Sequence, residues 1–355
     1  MKNNNRSINT IIISAMLICC GMVSCVSDYR MITTINPDAS CLREIYVDGN
    51  LKFLTGNMEY NPYLFHVDTS WRITALDTSK KQEKYNMKIS KTVRNIGDFS
   101  ANIHCDEALQ PLAAPIETLE KHFRWFYTYY TFKTVYPCIS DKIPVPIDQY
   151  MSKDEQKAWF QDDFSAYWGM NGYELNDELN VLEDKFFAWY LRNIYEVYLE
   201  TIYSLARLSD SNLYVSQLLV IKDTLFQMIN SSKDELLESK DINKRLDQYF
   251  NTTYFSDFYE ANKQQIEEES EERLSMGLFS KAIRYELIIP GKLISANTSL
   301  INQDTLTWNI TAMRLVPDNY ELIAISRTVH PWAFVVVAFF IILSVYCLMK
   351  VKKWR

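Results

Sequence analysis

The pattern of apolar and polar positions divides the chain into a β-rich part, a helical part, a second β-rich part and one long apolar run. Apolar and polar residues alternate in YRMITTI (29–35) and CLREIYV (41–47), with Asn36-Pro37-Asp38-Ala39 between them. Alternation with a period of two is typical of a half-buried strand, and a short break containing Pro and Asp marks a turn. The chain therefore begins its outer part with an antiparallel hairpin.

Further strands are predicted at 65–77 and 85–93, where polar and apolar residues also alternate. In the first of these, Trp71, Ile73 and Ala75 fall on one face of a half-buried strand. The aromatic run RWFYTYYTF at 124–132 has large side chains at both odd and even positions, which predicts one central strand covered on both faces. The Pro-rich segment at 137–146 suits neither a helix nor a central strand, so we place a domain boundary there.

Helical spacing dominates the middle of the chain. Ser152 and Glu155 form a capping box that opens a helix ending at Gly169 and Gly172. Apolar residues recur at steps of three and four from 177 to 208, and further helices are predicted at 213–230, after a second capping box at 232–235, and at 256–276. Strand patterns return at 283–289, 292–296, 305–311 and 320–327.

The predicted fold class is α+β, with a mostly antiparallel sheet formed from the N- and C-terminal parts, an inserted all-α domain and one C-terminal transmembrane helix. The predicted domains follow the chain in this order: a lipoprotein signal peptide at 1–24, the first part of the β-rich domain at 25–148, the helical domain at 149–279, the second β-rich part at 280–329, the transmembrane helix at 332–349 and a cytoplasmic basic tail at 350–355.

The run from Trp332 to Met349 contains 18 residues and no charge, and Lys350, Lys352, Lys353 and Arg355 follow it. At a helical rise of about 1.5 Å per residue this run is about 27 Å long, which suits the hydrocarbon core of a bilayer. The basic tail places the C-terminus in the cytoplasm by the positive-inside rule. The bulk of the chain is therefore expected outside the cytoplasm.

The N-terminal segment has the parts of a secretory signal: Lys2 and Arg6, the apolar run IIISAMLICC, and small residues before Cys25. The tetrapeptide at 22–25, MVSC, resembles a bacterial lipobox, in which the Cys carries a lipid. Lipidation is thus predicted at Cys25, and both ends of the sheet are expected at one membrane face. Cleavage without lipidation is the alternative.

A rival interpretation places the chain in the eukaryotic secretory pathway as a type I membrane protein. Asn230, Asn251, Asn297 and Asn309 each open an Asn-x-Ser/Thr sequon, and the chain ends in a dilysine-like KKWR. Topology already explains basic residues after a span, and sequons arise by chance in chains rich in Asn. The bacterial interpretation is therefore preferred.

The net charge of the outer part is strongly negative. Lys2, Arg6 and the four basic residues after the span carry +6 of the formal net charge of −7, which leaves −13 for residues 26–329. Such a charge repels nucleic acid and anionic head groups. We therefore expect no nucleic-acid partner and no adsorption to an anionic membrane surface.

Catalytic signals are absent from the sequence. Neither a phosphate-binding glycine loop nor a GxSxG or HExxH motif occurs, and no catalytic, cofactor-binding or metal-ligating residue is predicted. Cys41, Cys105 and Cys138 lie outside the signal and the span and allow at most one disulfide, whose pairing the sequence leaves open. The three residues His66, His104 and His122 would favour an enzyme if two of them met an acid in a cleft.

The C-terminal β-rich part contains Pro290 and Gly291, followed by Asn297 and then by Trp308, before a C-terminal apolar helix. Together with the lipobox, this pattern resembles that of bacterial membrane-anchored lipoproteins of the LppM type. The resemblance implies a membrane-tethered, β-rich domain associated with lipid or envelope interactions, without catalytic residues.

The predicted function is that of a noncatalytic, membrane-tethered extracytoplasmic (periplasmic) lipoprotein of the cell envelope, a module that binds a protein, lipid or glycan. An unrecognised envelope hydrolase or transferase is the alternative.

Overall fold

The computed structural model describes residues 27–76, 84–101, 103–209, 213–230, 239–274 and 276–352. The strands in these ranges are β1 Ser27–Ile35, β2 Cys41–Val47, β3 Arg72–Ala75, β4 Met87–Val93, β5 Ile116–Arg124, β6 Tyr127–Tyr136, β7 Lys281–Ile288, β8 Lys292–Ala296, β9 Leu300–Asn302, β10 Thr305–Thr311 and β11 Tyr320–Val329. The helices are α1 Gln110–Ala113, α2 Lys153–Gln161, α3 Gly172–Ser209, α4 Leu213–Asn230, α5 Ser239–Phe250, α6 Tyr254–Arg273, α7 Met276–Phe279 and α8 Pro331–Lys352.

The chain divides into two compact units. The first contains the β-rich residues up to Tyr136, the segment Lys281–Thr311 and the segment from Tyr320 to the C-terminus. The second contains Pro137–Ser280 together with Ala312–Asn319. The α+β fold class is confirmed, because strands from both ends of the sequence share one unit and the long helices α3 to α6 lie between them in the chain.

Strands from both ends of the chain pair in two sheets. A seven-stranded sheet has the order β3-β4-β2-β1-β7-β10-β9, and a four-stranded sheet has the order β5-β6-β11-β8. The pairing is antiparallel except between β1 and β7, which run parallel with Ser27 opposite Lys281 and Thr34 opposite Ile288. The sequence suggested one sheet, and two are found because β6 pairs with β11 rather than with β4.

The first hairpin follows the predicted pattern. In β2 every second residue is buried, from Cys41 to Val47. Ala39 adopts φ 76° in the turn, and Asp38 accepts hydrogen bonds from the backbone N–H and hydroxyl of Ser40 at 2.9 and 2.7 Å. These bonds favour the ionised carboxylate and lower the pKa of Asp38.

A buried ion pair joins the two sheets. The Arg43 guanidinium on β2 donates to both carboxylate oxygens of Glu117 on β5, at 2.7 and 2.8 Å, and both side chains are almost fully buried. Arg43 also donates to Thr33 Oγ1 at 3.0 Å and to the Tyr285 hydroxyl at 3.1 Å, and Ser100 donates to Glu117 at 3.1 Å. Burial alone would lower the pKa of Arg43, but the attraction of Glu117 outweighs burial, so the pKa is raised and the pair stays ionised.

The second unit packs around the long helix α3. The buried cluster combines residues of α3 with residues of α4, α5 and α6: Tyr195, Tyr198, Leu199, Ile202, Leu205, Leu218, Leu225, Ile242, Leu246, Phe255, Tyr259 and Ile266. The capping box at Ser152 and Glu155 is present, with Ser152 N–H donating to the Glu155 carboxylate at 2.8 Å. The helix that it opens ends at Gln161, where Asp162 takes a left-handed φ of 58°. The prediction that it reaches Gly169 was wrong, and Gly172 begins α3.

The segment at 65–77 contains a much shorter strand than its alternation predicted. Only Arg72–Ala75 is extended, at the edge of the seven-stranded sheet, and Ile73 is exposed. Trp71, just before the strand, is buried against Phe65 and Phe99. The second capping box at 232–235 lies outside the described residues.

Candidate membrane-interface site

The hairpin between β5 and β6 turns at Trp125 and Phe126, and Arg124 pairs with Tyr127 across it. The prediction of one continuous strand over 124–132 was therefore wrong. From Tyr127 onward the strand is central in its sheet, between β5 and β11, and every second residue of it is buried. The turn contains no Gly, Pro, Asn or Asp, so the sequence carried no local signal for it.

The turn residues contact the first turn of α8. The ring centroids of Trp125 and Trp332 are 5.3 Å apart, and those of Phe126 and Phe334 are 4.7 Å apart. We call the group that surrounds these contacts the aromatic cluster; it consists of Phe123, Trp125, Phe126, Tyr127, His330, Trp332 and Phe334.

The aromatic cluster is tied to the sheet by hydrogen bonds at His330. The His330 backbone N–H donates to the Phe126 carbonyl at 2.8 Å, and His330 Nε2 lies 2.8 Å from the Thr128 hydroxyl. Strand β11 stays paired with β6 as far as Val329, opposite Tyr127, and α8 begins at Pro331. The helix therefore continues from the sheet without a flexible linker.

Large parts of the aromatic cluster remain exposed despite these contacts. Trp125 is 48% exposed, Phe123 59% and Trp332 47%. Exposed aromatic side chains grouped around the start of an apolar helix are typical of the boundary between a bilayer and water.

Basic residues line the same end of the four-stranded sheet. Arg124 ends β5, Lys292 begins β8, and Arg327 pairs with Lys292 in the sheet. The Arg327 guanidinium lies 4.7 Å from the centroid of the Tyr127 ring, which is a cation–π contact. This end of the sheet is therefore positively charged, in contrast to the outer part as a whole.

The turn before β8 is fixed by a close backbone approach. Gly291 has φ 84°, and a Cβ atom at this position would lie 2.3 Å from the Arg327 carbonyl oxygen. The Ser326 hydroxyl donates to the Pro290 carbonyl at 2.8 Å. Pro290 and Gly291 thus hold Lys292 beside Arg327.

The strand directions disagree with the expectation that both ends of the sheet lie at one membrane face. Thr34 near the end of β1 pairs with Ile288, which is close to the Pro290 turn at the α8 end of the unit. Ser27 pairs with Lys281 at the opposite end of β1, seven residues or about 23 Å from Thr34. The parallel pairing of β1 with β7 is the reason, because it points the start of β1 away from α8.

Cys25 and the signal segment lie outside the described residues, so lipidation there stays a prediction. Cys41, Cys105, Cys138 and Cys347 are free thiols. Burial raises the pKa of the Cys41 thiol to about 11 and also raises that of Cys105. Neither of these two sites favours a thiolate nucleophile.

Two of the three His residues line one open pocket that also contains an acid. His66, His104, Cys105 and Glu107 are among its lining residues, and the backbone N–H of His66 donates to the backbone carbonyl of His104 at 2.7 Å. His122 lies elsewhere, on β5, 3.0 Å from Glu120. Within the described ranges, no group of three or more His, Cys, Asp or Glu side chains is arranged to hold a metal ion.

Among the described residues, one helix is long and apolar enough to cross a bilayer. It covers Pro331–Met349, and its apolar window is 6% buried. The predicted start at Trp332 and end at Met349 fall within this helix.

No protein-family model matches the chain, and no curated protein matches it. Among solved structures, the NMR structure of the folded domain of LppM from Mycobacterium tuberculosis aligns with 87% of this chain and 93% of that chain, at 8% identity and a TM-score of 0.25. A TM-score this low does not establish a shared fold, and the resemblance to LppM-type lipoproteins is limited to the motif residues.

Proposed function

We propose that this chain is a membrane-anchored lipoprotein of the bacterial cell envelope whose outer part is a noncatalytic module that binds a protein, lipid or glycan. The observation that carries the proposal is the apolar helix α8, whose side chains are almost unburied by the rest of the chain. An apolar helix of this length that nothing covers is stable in a bilayer and not in water.

The orientation follows from charge. The tail at 350–355 contains Lys350, Lys352, Lys353 and Arg355 and no acid. By the positive-inside rule the tail is cytoplasmic and the two units are periplasmic.

The second unit presents an exposed aromatic segment that supports a binding role. Trp168 is 86% exposed and Tyr173 88%, with Met170 exposed between them. Exposed Trp, Tyr and Met side chains are enriched in protein interfaces. We expect a protein partner to contact this segment.

Membrane extraction and reporter fusions test the anchor. The full chain is expected to stay in the membrane pellet at alkaline pH, and a chain that ends at His330 and carries Cys25→Ala is expected in the soluble fraction. A reporter active only in the cytoplasm, fused after Arg355, is expected to be active. Release of the full chain, or an inactive reporter, contradicts the proposal.

Lipidation is tested separately with a labelled fatty acid. Wild type is expected to take up the label and Cys25→Ala is expected to take up none. Equal labelling of the two chains would show that Cys25 is not the acylated residue.

A photo-crosslinking residue at position 168 tests the binding role in native membranes. A crosslinked partner is expected there and not from the control position Lys263, which lies on the polar helix α6. The absence of a product at 168 would argue against this surface.

The pocket with His66 and His104 is the observation that favours the enzyme alternative. A hydrolase would lose activity on an envelope substrate in His66→Ala and in His104→Ala, whereas His122→Ala, outside the pocket, would keep it. Wild-type activity in both pocket variants would remove the support that the pocket gives to this alternative.

A further inference from the structure

We propose that the α8 end of the four-stranded sheet is a binding site for the phosphate groups of anionic lipids, with Trp125 and Phe126 placed among the head groups. This inference rests on the proposed function, because it requires α8 to cross a bilayer.

The first argument is the position of the β5–β6 turn. Trp125 and Phe126 contact Trp332 and Phe334 in the first turn of α8, so they lie at the level where the helix enters the bilayer. Trp side chains prefer this level because the ring is apolar and its N–H requires a polar partner. The turn contains no turn-forming residue, so the formation of the hairpin does not explain why a Trp is exposed at its tip.

The second argument is the local charge. Arg124 and Lys292 are exposed and have no ion-pair partner among the described residues. Arg327 stands beside Lys292 in the sheet, and only about 7 Å of strand separates Arg327 from the end of β11 at Val329. Long Arg and Lys side chains at this height reach the phosphate layer.

Two acids near this end of the sheet, Glu120 and Asp38, lie beside side chains other than Arg124, Lys292 and Arg327. Glu120 lies 3.0 Å from His122 Nε2, and the carboxylate of Asp38 accepts two hydrogen bonds from Ser40. Lys121 lies near Asp38 and donates to the Pro37 carbonyl at 2.6 Å. Arg124, Lys292 and Arg327 form no ion pair among the described residues, so this end of the sheet is locally positive, although the net charge of −13 for residues 26–329 alone would predict repulsion from anionic lipid.

Membrane lipid is the preferred occupant because the cations are continuous with the aromatic cluster and with α8. Arg124 pairs with Tyr127, Tyr127 pairs with Val329, and Val329 precedes the helix by two residues. The site therefore lies at the level of the lipid head groups, and each basic residue there attracts an anionic head group with a strength that salt weakens.

Lipid binding to the detergent-solubilised full chain tests the proposal. Native mass spectrometry measures the apparent Kd for phosphatidylglycerol and for phosphatidylcholine. We expect wild type to bind phosphatidylglycerol about tenfold more tightly, and the Arg124→Glu/Lys292→Glu variant to bind the two lipids equally.

The matched control is Arg72→Glu/Arg207→Glu, which makes the same change in net charge at exposed positions on β3 and α3. It is expected to keep the preference for phosphatidylglycerol, as is the conservative variant Arg124→Lys/Lys292→Arg. The proposal is overturned if wild type shows no preference, if the two charge-reversed variants lose it equally, or if Arg124→Glu/Lys292→Glu keeps it.

A second measurement does not depend on charge reversal. In bilayers of the full chain whose lipids are brominated near the head group, Trp125→Phe is expected to reduce the intensity of Trp fluorescence that the bromine quenches, and Trp168→Phe is expected to leave that quenched intensity unchanged. An unchanged quenched intensity in Trp125→Phe also overturns the proposal. If these tests fail while the full chain stays in the membrane pellet, only the lipid site is refuted. If the full chain is released from the pellet, the proposed function is refuted.

Discussion

Trp308 Nε1 on β10 donates a hydrogen bond of 3.0 Å to Asn297 Oδ1, which follows β8, and so links the two sheets. The same oxygen accepts from the Ile323 N–H at 2.8 Å, and Asn297 Nδ2 donates to the Glu321 carbonyl at 2.6 Å. Asn297 and Trp308 are two of the motif residues, and the structure gives both a role in holding the sheets together.

Asn297→Ala is expected to lower the free energy of unfolding by about 2 kcal/mol, because three hydrogen bonds are lost and the indole N–H of buried Trp308 loses its partner. In a Trp308→Phe background, Asn297→Ala is expected to lower the free energy of unfolding by less, since the hydrogen bond between the two side chains is already absent. Urea unfolding of the solubilised chain measures both. Asn309→Ala, at an exposed sequon, is the control and is expected to be near neutral.

The Arg43–Glu117 pair predicts opposite results for single and double substitutions. Glu117→Gln is expected to cost about 3–5 kcal/mol, because it leaves a buried guanidinium without its counter-charge. Arg43→Met/Glu117→Leu is expected to be much closer to wild type, since no charge remains buried. Urea unfolding midpoints decide the matter; a double variant less stable than either single variant would contradict this account.

Gly291→Ala tests the close approach at the β8 turn. The new Cβ would lie 2.3 Å from the Arg327 carbonyl oxygen at a residue with φ 84°, so strand β8 must shift. We expect a loss of at least about 3 kcal/mol. Gly56→Ala is the matched control, because Gly56 has φ 90° and no atom lies within 4 Å of the added Cβ. Only the strain of the left-handed backbone is expected there, at about 1 kcal/mol. Equal losses in thermal unfolding would show that the contact is unimportant.

Alkaline pH is expected to destabilise the first unit. Burial raises the pKa of Cys41 from 9.0 to about 11, and the pKa values of Tyr29 and Tyr285 from 10.0 to about 12. The unfolded chain loses these protons at lower pH than the folded chain, so stability is complete below pH 9 and falls as pH rises through 11 and 12.

The urea midpoint measured from pH 8 upward, at constant ionic strength, checks this prediction. Cys41→Val is expected to reduce the loss of stability between pH 9 and 10, and Cys41→Val/Cys105→Val is expected to delay the onset of the decline to about pH 10, where the tyrosines begin to ionise. A midpoint that stays level from pH 8 to 12 would contradict burial of these groups.

The sequence predicted those elements in which buried residues recur at a regular spacing along the chain. The period of two in β2 and the apolar steps in α3 report which face of each element is buried, and the Ser152–Glu155 capping box is a contact between near neighbours. The apolar run of α8 is likewise a property of consecutive residues.

The aromatic cluster was not predicted, because it is formed by contacts between residues that are distant in the sequence. Trp125 and Phe126 form a turn without any turn-forming residue, and they contact Trp332 and Phe334, far along the chain. An aromatic run that begins with a basic residue, as RWFYTYYTF at 124–132 does, is the sequence signal that could have pointed to this cluster.

What the sequence by itself determined is the α+β composition, the hairpin of β1 and β2, and the apolar helix at the C-terminus, because alternation and apolar length depend only on neighbouring residues. Only the tertiary structure decided that β1 pairs parallel with β7, that β6 pairs with β11 in a second sheet, and that Arg124, Lys292 and Arg327 gather at one end of it. Strand partners are chosen by side-chain packing between distant segments, which no local pattern encodes.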